Sequence, residues 1–222
     1  MLDTRMRALT APALNAAGAR LARAGIPPVG ITAAGWLAGV GACLAAGLRA
    51  WPAALGLWLV NRLLDGLDGP TARARGTTEL GGFLDIVADF SIYGGIVAGV
   101  AVGVPAARLA CVFLLASYYI SGAALLALSS LAERQRLALG DERSIRFAGG
   151  LAEGTETIGA YVAFFLLPQY AEQIAWIFAA MVAITAVQRV GAGARLLRRT
   201  AHPRPLPLTP ARKSQEEPWP AR

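Results

Sequence analysis

The sequence predicts an all-α, polytopic membrane protein: a six-transmembrane-helix bundle with an N-terminal amphipathic surface helix. Of the 222 residues, 55% are hydrophobic and only 16% are charged, and the mean hydropathy is +0.49, unlike the balance of a soluble domain. The apolar residues form stretches of about twenty, the length that crosses a hydrocarbon core of about 30 Å as a helix. Lys and Arg gather in alternate loops, as is typical of cytoplasmic loops.

Residues 1–28 predict a helix that lies along the cytoplasmic surface of the membrane. Basic residues alternate there with leucines, methionines and alanines, a composition typical of interfacial helices. A secretory signal fits less well, because no short apolar core with a cleavage site follows the first arginines. The surface helix is followed by a six-span domain over residues 29–200.

Six spans account for the apolar stretches and for the placement of the arginines. The predicted spans are 29–48, 51–64, 81–103, 106–128, 154–167 and 171–192. The loops between them put Arg49 and Arg108 on one side and the other loop arginines on the opposite, cytoplasmic side. An even number of spans then places both termini in the cytoplasm. Recurring small residues predict close helix packing: Gly35, Gly39, Gly94, Gly95 and Gly99.

The tail over residues 201–222 is rich in proline and lacks an apolar period, so we expect it to be disordered. His202, the only histidine, lies in this tail, which argues against a catalytic histidine. Cys43 and Cys111 lie in predicted spans and are interpreted as packing residues. The net charge of +7 comes from basic residues beside apolar segments, which favours membrane lipids over nucleic acid as partners.

Four aspartates gather at the predicted cytoplasmic ends of the second and third spans. On helices, Asp65 and Asp68 share one face, as do Asp85 and Asp89, so the two pairs can face each other. Each acidic side chain in a span costs about 2.5 to 3.5 kcal/mol, and close like charges repel. One or two bound cations offset both effects. Ligation by carboxylates alone favours Mg²⁺ or Mn²⁺.

Small and basic residues accompany the aspartates. Gly69, Ala72 and Gly81 either let the backbone approach a ligand or serve helix packing. Arg73 either binds phosphate oxygens or is a topology charge. Its place one turn beyond the aspartates favours a phosphate.

The pattern Asp65-x2-Asp68-Gly69-x2-Ala72-Arg73-x7-Gly81-x3-Asp85-x3-Asp89 resembles the signature of the CDP-alcohol phosphatidyltransferases. Every fixed position of that signature is filled. The surface helix, the six spans and the Ile31-Thr32-x2-Gly35 opening of the first span extend the resemblance.

The resemblance implies a metal-dependent transferase of phospholipid synthesis, in the bacterial inner membrane with a cytoplasmic active site. Pairing into a homodimer is usual in that family. Such an enzyme moves a phosphatidyl group from CDP-diacylglycerol to the hydroxyl of a small polar alcohol and releases CMP, with two Mg²⁺ or Mn²⁺ ions. Asp65, Asp68 and Asp85 are then metal ligands, and Asp89 is a ligand that also acts as general base. The implied donor-binding residues are Asp65, Asp68, Gly69, Ala72, Arg73 and Gly81.

Polar residues near the cytoplasmic ends of later spans are candidates for the acceptor site. Arg143 and Arg146 either hold an acceptor phosphate or are topology charges. Glu153 and Glu156 either contact a polar acceptor or are favoured by a helix dipole. The alcohol itself stays open among serine, glycerol phosphate, inositol, inositol phosphate and choline.

Other polar residues near the predicted spans have simpler interpretations. Tyr118, Tyr119 and Ser121 can line the acceptor pocket, but helix packing is the favoured interpretation. Arg62 and Arg189 are expected to extend towards the membrane interface.

A cation transporter is the alternative function, because aspartates in membrane helices also mark ion pathways. A transport path predicts acidic residues spread through the bilayer, often in two related halves. Here the aspartates gather at one face and no internal repeat is visible. This pattern favours the enzyme.

Overall fold

The structure, a computed structural model, describes residues 2–134, 152 and 154–200. Of the predicted acceptor residues, Arg143, Arg146 and Glu153 lie outside the described residues, as does the proline-rich tail.

The described part of the chain folds into α-helices joined by short turns, which confirms the all-α class. The helices are α1 (Leu2–Arg23), α2 (Pro28–Gly47), α3 (Trp51–Arg75), α4 (Glu79–Gly103), α5 (Arg108–Arg134), α6 (Gly154–Leu166) and α7 (Ala171–Thr200). Short 3₁₀ turns precede α5 and α7. Proline lies in the first turn of α2 and α3, where its missing N–H costs no hydrogen bond.

Four of the described helical stretches are long and apolar enough to cross a membrane: Pro28–Gly47, Glu79–Gly103, Pro105–Leu131 and Pro168–Arg195. They match the first, third, fourth and sixth predicted spans. α3 and α6 occupy the places of the second and fifth. α3 has 25 residues but carries charged side chains, and the described part of α6 has 13 residues. The protein is thus a polytopic membrane protein, and the count of six spans stays a prediction.

Glycines let α2 and α4 approach each other closely, as their spacing predicts. A Cβ added to Gly39 would lie 2.7 Å from Ile92, and one added to Gly95 would lie 2.7 Å from the Cys43 sulfur. At Gly99 an added Cβ would collide with the Cys43 carbonyl oxygen. The hydrophobic effect does not draw helices together inside a membrane. Van der Waals contact between closely spaced backbones supplies the attraction instead.

α3 and α4 lie side by side with a space between them. α2 packs against both helices, whereas α3 and α4 approach each other less closely. Long side chains bridge the space: the buried Trp58 ring lies edge-on to Tyr93, with 6.2 Å between ring centroids. Arg62 reaches Asp89 one turn further along. This order of contacts makes the helices antiparallel, so the second half of α3 lies beside the first half of α4.

α1 packs along the second half of α3. A Cβ added to Gly18 would lie 2.5 Å from the Cβ of Pro70, so the two helices nearly touch there. The predicted N-terminal helix is therefore confirmed as a helix. Its position along the membrane surface stays a prediction.

Candidate active site

Three carboxylates converge at one end of the space between α3 and α4. Asp65, Asp68 and Asp85 each offer one oxygen, and these oxygens all lie within 4.8 Å of one another. We call these residues the aspartate trio. Two oxygens on opposite sides of a Mg²⁺ ion, each about 2.1 Å from it, lie about 4.2 Å apart. The trio therefore has the donor chemistry and nearly the spacing of a hard divalent ion site, and such an ion would offset the repulsion between its charges.

A hydroxyl from α2 fixes the most buried member of the trio. Thr32 Oγ1 donates to Asp68 Oδ2 at 2.9 Å, and Asp68 is only 7% exposed. The bond holds one oxygen of Asp68, which orients the carboxylate for a ligand at the other. Thr32 belongs to the Ile31-Thr32-x2-Gly35 segment, but its contact with the trio could not be read from the sequence.

Asp89, the fourth aspartate, lies outside this group of three and forms an ion pair. Arg62 Nη2 donates to Asp89 Oδ1 at 2.9 Å, while Arg62 Nη1 lies 3.4 Å from Asp65 Oδ2. One guanidinium thus joins α3 to α4 and links Asp89 to the trio. The role of Asp89 as a metal ligand stays a prediction.

The expectation that Arg62 extends towards the interface is wrong. Its side chain is only 10% exposed, and it also donates to the Tyr93 hydroxyl at 2.8 Å and to Asn61 Oδ1 at 2.9 Å. Two half-buried carboxylate partners attract the guanidinium more strongly than distant water can. The sequence held a signal for this contact, because Arg62 lies three residues before Asp65 and shares its helix face.

The small residues beside the trio do not serve close helix packing. A Cβ at Gly69 would meet only Arg73, at 3.4 Å, and one at Gly81 would meet only the Thr78 hydroxyl, at 3.1 Å. That hydroxyl caps α4 by accepting from Gly81 N. Gly69 and Gly81 therefore leave open space beside the carboxylates. Ala72, which follows the buried Thr71, is half-buried.

Arg73 is exposed and ties α3 to the N-terminal helix. Its Nη2 donates to Asn15 Oδ1 at 3.3 Å. The guanidinium also lies beside Gly69, where an added Cβ would be 3.4 Å from its Nη1. Its contact with a phosphate stays a prediction.

A cavity of about 440 Å³ lies between α4, α5, α6 and α7. Its polar lining comes from Tyr93, Tyr118, Ser121, Thr157 and Arg189, and it also includes Tyr119. The lining residue Tyr93 accepts a hydrogen bond from Arg62, the ion-pair partner of Asp89, so Arg62 and Tyr93 connect the cavity wall to the site. Tyr118, Tyr119 and Ser121 all line this cavity. Tyr118 also packs against the core as the favoured interpretation expects, since its ring contacts Phe178 and its hydroxyl lies 3.1 Å from that of Tyr161.

Two further features of the cavity wall depart from the sequence expectations. Arg189 does not extend to the interface, because its Nη1 donates to Ser121 Oγ at 2.8 Å. Gly94 is a cavity residue and not a packing glycine, since an added Cβ would find only Leu115, at 3.8 Å. Glu156, the one predicted acceptor residue that the structure describes, is half-buried in the first turn of α6 and does not line this cavity.

Known proteins match most of this chain. Residues 26–188 match the family model of the CDP-alcohol phosphatidyltransferases. The chain is 38% identical to the inner membrane protein YnjF of Escherichia coli (strain K12) over 196 residues, 87% of this chain and 95% of that protein.

The fold is similar to crystal structures of the Mycobacterium tuberculosis phosphatidylinositol phosphate synthase PgsA1. The structure with CDP-DAG bound is 23% identical, with a TM-score of 0.64 over 81% of this chain and 92% of that chain. The structure in complex with manganese and citrate is 25% identical, with a TM-score of 0.63 over 82% and 88%.

The family model matches most of the chain, and YnjF is 38% identical over 95% of its own length. A shared fold alone does not produce this much similarity. The trio lies within the matched region. The chain therefore belongs to the CDP-alcohol phosphatidyltransferase family.

Proposed function

We propose that this protein transfers a phosphatidyl group from CDP-diacylglycerol to a small alcohol that carries an anionic group, and releases CMP. The observation that carries the proposal is the convergence of Asp65, Asp68 and Asp85. We place the enzyme in the bacterial inner membrane, with the trio and both termini on the cytoplasmic side.

The trio is where the pyrophosphate of the donor binds, together with divalent metal. Carboxylates alone cannot attract a dianionic pyrophosphate, but an Mg²⁺ or Mn²⁺ ion held between them supplies positive charge to the phosphate oxygens and to the leaving CMP. The manganese and CDP-DAG complexes of PgsA1 support this assignment. Arg73 and the open space at Gly69 and Gly81 complete the donor site.

The reaction needs a base for the alcohol, and Asp89 has the right position. A bond forms between the alcohol oxygen and the phosphorus that carries the lipid, and the bond from that phosphorus to CMP breaks. The alcohol proton passes to the Asp89 carboxylate, which Arg62 links to Asp65 of the trio. Its contact with Arg62 leaves its second oxygen, Oδ2, for the alcohol.

The cavity is the acceptor site in this proposal. Its wall residue Tyr93 contacts Arg62, the partner of Asp89, and Arg189 places a guanidinium in the same wall. A guanidinium binds phosphate or carboxylate oxygens with charge-assisted hydrogen bonds. Glycerol 3-phosphate and inositol phosphate fit this chemistry, whereas choline brings a second positive charge.

A direct assay tests the function. Purified protein with CDP-diacylglycerol and Mg²⁺ or Mn²⁺ is expected to release CMP with glycerol 3-phosphate or inositol phosphate, and not with choline. Inositol and serine test whether the anionic group is needed. Release of no CMP with any alcohol and either metal would exclude the proposed reaction.

The cavity assignment predicts a selective effect on the alcohol. Gly94→Leu puts a side chain into the cavity without a clash at Cβ, so KM for the alcohol is expected to rise at least about tenfold while KM for CDP-diacylglycerol stays nearly unchanged. Gly56→Leu is the matched control, because no atom lies within 4 Å of an added Cβ at Gly56 and α3 is distant from the cavity there. Equal effects on both substrates would remove the assignment.

A further inference from the structure

The N-terminal helix α1 packs on the turns of α3 that carry part of the aspartate trio. An added Cβ at Gly66 would lie 3.4 Å from Leu14 Cδ1. An added Cβ at Gly18 would lie 2.5 Å from Pro70 Cβ and 2.9 Å from the Pro70 carbonyl carbon. Asp68 lies between Gly66 and Pro70 along α3. The position of α1 is therefore fixed closely beside one of the trio carboxylates.

The same packing fixes where the amide of Asn15 lies. Leu14, Gly18 and Leu21 recur at helical spacing along α1 and are buried or half-buried. Asn15 directly follows Leu14 and is exposed at the edge of this stripe. Its side chain is thus held at a set place relative to α3, because the helix that carries it cannot slide without a clash at Gly18.

The Arg73 side chain runs back one turn along α3 and ends between Asn15 and Gly69. Its Nη2 donates to Asn15 Oδ1 at 3.3 Å. Its Nη1 would lie 3.4 Å from a Cβ added to Gly69, and Gly69 directly follows Asp68. One amide on α1 thus holds the guanidinium over the glycine next to a trio carboxylate.

Arg73 is exposed, so it gains from a partner that restricts it. A long arginine side chain samples many rotamers in water, and fixing one of them when a ligand binds lowers the affinity. The hydrogen bond to Asn15 restricts the guanidinium before a ligand arrives and turns Nη1 over Gly69. Because the amide of Asn15 is neutral, the guanidinium keeps its full attraction for an anionic group.

We propose that Asn15 is a positioning residue that holds Arg73 over Gly69 for the pyrophosphate of the donor. The contacts of Asn15 with Arg73 and of Gly18 with Pro70 carry this inference, which rests on the proposed function. Asn15 acts through Arg73 and touches no atom of the donor. The N-terminal helix is then a part of the donor site, besides its predicted place on the membrane surface.

A double-mutant cycle between Asn15 and Arg73 tests the proposal in the full-length protein in detergent. Asn15→Leu removes the acceptor, has a similar size and suits a helix. We expect it to raise the Kd for CDP, titrated by calorimetry with Mn²⁺ present, about fivefold, the effect of one hydrogen bond. KM for CDP-diacylglycerol is expected to rise equally, with kcat within about twofold of the wild type. In an Arg73→Met background, Asn15→Leu is expected to have no further effect on either constant.

Gly18→Leu tests the same contact by a second route. The added side chain cannot fit against Pro70, so α1 must shift away from α3 and Asn15 must move with it. The Kd for CDP is expected to rise at least about fivefold, and this rise is also expected to disappear in the Arg73→Met background. Ala16→Leu is the matched control, because Ala16 is exposed beside Asn15 and its variant is expected to bind CDP as the wild type does.

The affinity for Mn²⁺, followed by the loss of the free-ion EPR signal, separates positioning from folding. Asn15→Leu leaves the trio untouched, so its Mn²⁺ affinity is expected to stay within about twofold of the wild type. A loss of Mn²⁺ binding in this variant would show that α1 only supports the fold, and the proposal would be overturned.

The affinity for CDP decides the proposal even without turnover. A Kd within twofold of the wild type in Asn15→Leu would overturn it, as would a fivefold rise that persists in the Arg73→Met background. A wild type that does not bind CDP would also overturn it. If the wild type binds CDP but releases no CMP with any alcohol, the proposed function fails, whereas the cycle of CDP affinities still tests Asn15.

Discussion

Asp85→Asn is expected to abolish CMP release, lowering kcat about 1,000-fold or more. Asparagine keeps the size of the side chain but removes the only charge that α4 contributes to the trio. Asp65 and Asp68 then come from one helix and leave the other side of the ion without a charged ligand. Mn²⁺ affinity is expected to fall at least about tenfold, since even the loss of an outer partner of a ligand costs that much.

For the metal-free protein, Asp85→Asn is expected to be harmless or stabilising. With EDTA present, Asp85→Asn removes repulsion between close carboxylates, so its Tm is expected to equal or exceed that of the wild type. Glu79→Gln is the matched control, because Glu79 is an exposed acid in the first turn of the same helix. A variant that binds Mn²⁺ as the wild type does would remove Asp85 from the metal site.

Asp89→Asn is expected to lower kcat about 100- to 10,000-fold, the range over which a positioned general base acts. The amide oxygen can still accept from Arg62, so α3 and α4 stay connected. The aspartate trio is untouched. Donor binding and Mn²⁺ affinity are therefore expected to stay within about threefold of the wild type.

This split distinguishes a base from a ligand. Binding of CDP-diacylglycerol to the detergent-solubilised variant, measured by calorimetry with Mn²⁺ present, is the readout beside turnover. Glu172→Gln is the control, since Glu172 is exposed in the first turn of α7. Full activity would exclude Asp89 as the base, and a large loss of Mn²⁺ affinity would make it a metal ligand.

The convergence of the carboxylates could be predicted because it depends largely on spacing within single helices. Asp65 and Asp68 are three residues apart and lie one turn apart on any helix. Their meeting with Asp85 needed only an antiparallel neighbour, which a short turn between two helices produces. The contact of Thr32 with Asp68 could not be predicted in this way. Thr32 lies on α2, 36 residues before Asp68, and residue spacing does not indicate contacts over such a separation.

The error on Arg62 has a related cause. In a sequence, an arginine near the end of an apolar helix is an ordinary topology charge. Its burial depends on Asp89, Tyr93 and Trp58, which lie around it. Asp89 and Tyr93 belong to α4, whereas Arg62 belongs to α3. The cavity was undervalued for the same reason, because its lining comes from four helices and each tyrosine alone resembles a packing residue.

The sequence by itself determined the membrane class, the helices and the family of this protein, because hydropathy, helix length and the aspartate spacing are local properties. Only the tertiary structure decided which carboxylates converge, which one pairs with Arg62 and where a cavity remains. These features depend on the distance between α3 and α4, which both pack against α2. Glycines and bulky rings on different helices set that distance. Coulomb and steric energies between side chains on facing helices change when the distance changes by a few ångströms. The spacing of residues along the chain does not fix such distances.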